Sequence, residues 1–230
     1  MSIKIDKNYN WVQFSQSYLH QARLSCEAVL SKKLGIAIRY GENSIKERKY
    51  KARDIFIPTL FNIKHGIESF IKTLKIILAE KLNKKDLKHN ISELFELLKI
   101  EIKKHKIVEV IRKEYQDNPE SINLEIAYNN KLKIDDILKS LEKLILKYYH
   151  CEILMNKLGG SYIIEDISNT AFRYPDNNLK ININYDDVLD KVSDDDLLEM
   201  LADVNNLLDN FNNLGFVLEV YKQQVDKNKK

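Results

Sequence analysis

Cysteine, proline and glycine are all scarce in this 230-residue chain, with two, three and six residues respectively. Two cysteines make no disulfide framework. Cys26 and Cys151 each fall on an apolar stripe and read as small core residues. No CxxC or HExxH spacing, Walker loop or GxSxG occurs, so neither a metal nor a cofactor is expected. The acidic run SDDDLLEM has no EF-hand spacing and suits a helix N-terminus, with Ser193 as cap and aspartates in the first turn. Long apolar runs are missing too. Lysines interrupt even Ile71 to Leu82, well short of the ~20 residues that span a bilayer. The opening MSIKIDKNYNW lacks an apolar signal-peptide core. A cytoplasmic protein without a membrane partner is expected.

What is abundant is charge and helical periodicity. The net charge of +3 is unevenly spread: basic runs lie at Lys46–Arg53, Lys81–Lys88 and Lys103–Lys106, and acidic residues gather between Asp186 and Asp196. The run from Lys46 to Arg53, with Tyr50 inside it, is read as solvated charge, the rival reading being contact with nucleic acid.

Three- and four-residue apolar steps predict a first helix from about Asn10 to Lys33. Gly35 to Arg53 reads as a loop or a weaker helix. A second helix is expected from Pro58, as a first-turn residue, to about Leu82. Asn90 with Glu93 forms a capping-box signature, and the helical pattern that follows stops at Asn118-Pro119. A strong helix is predicted over 132–158, closed by Gly159-Gly160. The last, about 193–224, carries two neighbouring apolar stripes, which place it at the centre of a bundle or in a dimer. Ile122, Leu124, Ile126 and Tyr128 alternate as a strand would, as do Leu179, Ile181, Ile183 and Tyr185. The expected fold is therefore mainly α: one domain over 1–230, an antiparallel bundle of about five long helices. It carries a small irregular or two-stranded β insert around 120–130 and 160–186.

Four places invite a functional reading. His65, Glu68 and Lys72, with Phe61, fall opposite the apolar stripe of the second helix. An imidazole and a carboxylate one turn apart can hydrogen-bond and fix the tautomer; pairing with other helices or solvent is the structural alternative. His89 precedes the Asn90 cap, at a helix N-terminus that welcomes anions. Arg173 stands in FRYP, where Pro175 biases Tyr174 toward extended backbone. Its guanidinium would meet a carboxylate such as Glu68, a helix C-terminus or a phosphate.

Four stretches together resemble a bacterial group of HEPN-domain proteins of the toxin–antitoxin and phage-defence type: IPTLFNIKHGIESFIKTLKIIL, LKHNISELFELL, the helix at 132–158, and DISNTAFRYPDNN. They cover roughly residues 55 to 180. The resemblance implies a HEPN-like helical bundle, a homodimer, and RNA or a nucleotide as partner. Many members are ribonucleases with an Arg-x(4–6)-His motif at the dimer interface. This chain departs from that pattern, since none of its six arginines has a histidine five to seven residues downstream. A substitute site for a metal-independent endoribonuclease would use His65 as general base, His89 as acid and Arg173 to stabilise the phosphorane, with Glu68, Lys72 and Tyr174 binding or clamping. Two alternatives stay open: a catalytically silent HEPN-fold scaffold or protein-binding module, and a regulator that binds a protein partner of the same defence system through its acidic segment.

Overall fold

Apolar residues at helical spacing become helices almost throughout. The computed structural model describes residues 7–33, 35–40, 44–79, 86, 88–131, 133–157, 159 and 185–228. Among these lie nine helices and one two-stranded ribbon: α1 (Lys7–Leu30), β1 (Gly35–Tyr40), β2 (Ser44–Lys49), α2 (Ala52–Ala79), α3 (Ile91–Lys104), α4 (Ile107–Asp117), α5 (Ile122–Lys131), α6 (Ile134–Tyr149), α7 (Glu152–Lys157), α8 (Tyr185–Leu189) and α9 (Asp194–Lys227). The mainly helical bundle expected from the periodicity is present.

Two helices form its centre. α2 buries residues on every side, including Lys64, Glu68 and Lys75. α1 lies antiparallel to it: the hydroxyls of Ser15 and Thr73 meet at 3.2 Å, and Leu19 packs on Gly66. The approach there is close enough that a Cβ on Gly66 would sit 2.7 Å from Leu19 Cδ2, so glycine is what lets the two helices touch. α9 buries both of its stripes and packs against α1, α2, α4, α5 and α6. Its Phe211 stacks on Phe70 of α2, ring centroids 4.7 Å apart. The two-striped pattern thus marks a central helix of the bundle.

Polar contacts fix how α6 and α7 sit on α9. Ser140 meets Asn210 at 3.2 Å, while seven residues on Lys147 and the Tyr148 hydroxyl both donate to Asp203, so α6 and α9 run antiparallel. Burial pulls the Lys147 pKa down, but hydrogen bonds to Asp203 and Glu199 outweigh it and the net shift is upward. Burial, then the Asp203 charge, pushes the Tyr148 phenol well above its usual value.

At the start of α9, Asp196 accepts from the Ser193 backbone N–H at 2.7 Å, from the Ser193 hydroxyl at 3.0 Å and from Lys157 of α7 at 2.7 Å. Burial alone would raise the Asp196 pKa; the Lys157 and Ser193 hydrogen bonds overcome it and the net shift is downward. A depressed carboxylate stabilises the fold above its ordinary pKa, and this contribution is lost as pH falls through the lower folded value. Asp196→Asn should therefore be less stable than wild type at pH 7 by about 1–2 kcal/mol. Urea titrations should show that gap closing as the pH drops through the acid range where Asp196 protonates in the folded protein.

Several boundaries differ from the sequence-based expectation. Ile122 to Tyr128 is helix α5, with no strand there. Leu124, Ala127 and Tyr128 turn inward at helical spacing, Tyr128 stacking on Tyr115 of α4 at 4.7 Å, while Ile122 is left 70% exposed. A short apolar alternation fits both periods, and the partner helices decide. The second expected strand, apart from Tyr185, which begins α8, lies outside the described residues. The ribbon that does form is elsewhere, pairing Gly35 with Lys49 through Tyr40 with Ser44, in the segment expected to be a loop or weak helix.

α2 begins six residues before Pro58, which is an interior residue and not a first-turn one. Asp54 accepts from the Lys51 N–H at 2.9 Å and secures that earlier start, and burial of Ile55 and Phe56 outweighs the missing proline donor. The helix predicted over 132–158 is interrupted at Cys151, whose φ of 52° separates α6 from α7.

Candidate functional site

Helix α2 carries a seam of long polar side chains, Lys64, Glu68, Lys72 and Lys75, repeating every three or four residues like its apolar stripes. The Glu68 side chain is 5% exposed. A carboxylate withdrawn from water needs partners. Lys72, one turn on, donates to Glu68 Oε1 at 2.7 Å.

The second partner comes from the segment leading into α3. Asn90, in extended backbone, caps that helix by accepting from the Glu93 N–H at 3.0 Å, and Lys88 pairs with the Glu93 side chain at 2.8 Å. These contacts fix the backbone on both sides of His89, whose Nδ1 lies 2.9 Å from Glu68 Oε1. An ionised carboxylate only accepts, so Nδ1 carries the proton of this bond and Nε2 is left for another group. The His89 side chain is 49% exposed, whereas its glutamate is buried. A buried acid orienting a half-exposed imidazole is the arrangement that prepares a histidine for proton transfer.

His65 stands one turn before Glu68, in a row of rings. It stacks on Phe61, centroids 5.5 Å apart at 11°, and takes the edge of Tyr18 at 4.5 Å; Tyr18 in turn meets Phe14 at 5.1 Å. The face expected to lie away from the core is thus covered by α1 and by the approach to α3. Glu68 Oε1 serves His89 and Lys72, two partners of which the spacing within α2 gave no more than one. Arg173 and Tyr174 lie outside the described residues. Among the described residues no three side chains gather to hold a metal ion, and no helix is long and apolar enough to cross a membrane.

Sequence reading missed the two deepest cations of the seam. Lys64 is almost fully buried, with Nζ donating to Cys151 Sγ at 3.8 Å, and Lys75 pairs with buried Asp86. The available signal was their spacing: eleven residues are three helical turns, so both lie on the face that holds Glu68. No family model matches the chain, and comparison with curated proteins and with solved structures likewise finds no match.

Proposed function

We propose that the chain is an endoribonuclease of HEPN-like type in which His89, oriented by Glu68, moves the proton. The observation that carries this reading is the 2.9 Å bond from His89 Nδ1 to a buried carboxylate, made by a side chain half open to solvent. With Nδ1–H committed to Glu68, the Nε2 lone pair takes the proton of a ribose 2′-hydroxyl. That oxygen attacks the adjacent phosphorus, the P–O5′ bond breaks, and a 2′,3′-cyclic phosphate and a 5′-hydroxyl result. This makes His89 the base, exchanging the roles that the sequence alone suggested. His65 then protonates the leaving 5′-oxygen. Lys72 holds Glu68 in place through its 2.7 Å hydrogen bond, and Arg173 retains its sequence-based role of stabilising charge on the phosphorane. The resemblance of the four stretches to HEPN proteins points the same way.

A second reading, a catalytically silent scaffold or protein-binding module, is favoured by Lys72 sharing Oε1 with His89. Such a Lys–Glu–His clamp holds α3 on α2 with no substrate involved. Expression in a bacterial host separates the two. The nuclease reading expects growth arrest on induction of the wild type and normal growth with His89→Ala accumulated to the same level. Normal growth with abundant, folded wild type would overturn it in favour of the scaffold.

A further inference from the structure

A cleft of about 500 Å³ opens where the end of α1, the start of α2 and the α8–α9 turn meet, lined by none of the residues that build the His89 site. Its floor is apolar, with Val29 and Val192, and half-buried Tyr50 forms part of the wall. Four cations line it, Lys32, Lys49, Lys51 and Arg53, against two carboxylates, Asp190 and Asp194. The cations are not used equally. Arg53 is matched by Asp190 in an ion pair. Lys49 Nζ donates to the Lys32 carbonyl at 2.8 Å, which positions the ammonium, and Lys49 has no carboxylate partner among the described residues. Lys32 and Lys51 are exposed and have no carboxylate partner among the described residues. Among the described residues that line the cleft, three ammonium groups without a carboxylate partner therefore stand against Asp194.

A concave surface with low-dielectric walls and charge of one sign in excess concentrates the potential inside it. Local structure maintains that excess. Lys32 is held at φ 55°, in the left-handed region, by the turn that ends α1. The Lys51 backbone N–H is tied to Asp54 at the start of α2, which fixes the stem from which its side chain reaches the cleft. Lysines act on phosphate as point charges, and a phosphate monoester carries close to two negative charges at neutral pH. The cleft volume falls in the range of small-ligand sites, about 300–1,000 Å³.

We propose that this cleft binds a phosphate-bearing ligand of nucleotide size, held by Lys32, Lys49 and Lys51. The phosphate comes either from a free nucleotide or from a segment of single-stranded RNA, and the site stands independently of the His89 reading.

The test is equilibrium binding to the full chain with two probes, adenosine monophosphate and a fluorescent 2′-O-methyl RNA hexamer, which has no free 2′-hydroxyl to be cleaved. Wild type is compared with Lys32→Gln/Lys51→Gln and with Lys143→Gln, an exposed lysine on α6 that takes no part in the cleft. All three substituted lysines are exposed, and melting curves verify the fold. The double variant is expected to weaken binding of at least one probe by about tenfold or more, with weaker binding at higher salt, while Lys143→Gln binds as wild type does. Loss of monophosphate binding identifies a free phosphorylated ligand; loss confined to the hexamer identifies nucleic acid. No binding of either probe, or equal weakening in the Lys143 variant, overturns the proposal.

Discussion

Asp203→Ala is expected to destabilise the protein by about 3–5 kcal/mol, the largest stability loss foreseen for any one side chain. Asp203 is buried on α9 and receives two donors from α6, the Lys147 ammonium and the Tyr148 hydroxyl, the latter at 3.0 Å. Lys147 also reaches half-exposed Glu199 at 2.6 Å and retains that partner in the variant. Tyr148 has no such recourse: it is among the largest fully buried side chains, and its hydroxyl would be left without an acceptor. Removing one member of a buried charged network strands the others, which costs more than the network contributes net. Chemical denaturation should show a lower midpoint with an unchanged denaturant slope. Tyr148→Phe removes only the neutral donor and should lose no more than about 1–2 kcal/mol. Equal losses in the two variants would contradict this ordering.

On the proposed nuclease reading, substitution of Glu68 should affect stability and catalysis together, whereas His89→Ala should affect catalysis alone. In His89→Ala the carboxylate keeps Lys72, and the lost side chain is half exposed, so melting should change little. RNA cleavage should nonetheless fall about a hundredfold or more, the usual contribution of a positioned acid–base group. Glu68→Gln removes the charge that Lys72 and the His89 Nδ1–H share, and its amide oxygen is a weaker acceptor for both. A drop of about 1–3 kcal/mol in stability should accompany a rate loss approaching that of His89→Ala. If the Lys–Glu–His cluster were only a clamp, both variants would track stability and no rate would separate them. Measuring melting and cleavage on the same preparations distinguishes the cases.

The fold was largely legible because its strongest signals are periodic. The stripe from Leu60 to Leu78 and the paired stripes of α9 identify the two central helices, and Ser193 and Asn90 mark real helix starts. What periodicity does not resolve is a segment short enough to satisfy two periods. Ile122 to Tyr128 alternates like a strand, yet the faces offered by α4 and α9 select the helix. Proline at 58 punctuates weakly where Ile55 and Phe56 have a core to enter.

The site was legible residue by residue but not in its pairing. Glu68, Lys72, His65 and His89 were all singled out by type and position. That Glu68 reaches His89 across 21 residues of chain, and not only its own helical neighbours, depends on how α3 crosses α2, which no spacing within one helix encodes. Buried Lys64 and Lys75 escaped notice because lysine is seldom fully buried and so is read as surface.

The proposal that His89 moves the proton in RNA cleavage is tested most directly by incubating the purified chain with total bacterial RNA in the presence of a metal chelator, beside folded His89→Ala. The account predicts fragments ending in 2′,3′-cyclic phosphate from the wild type and intact RNA from the variant. Intact RNA with both proteins, or equal cleavage by both, would contradict it.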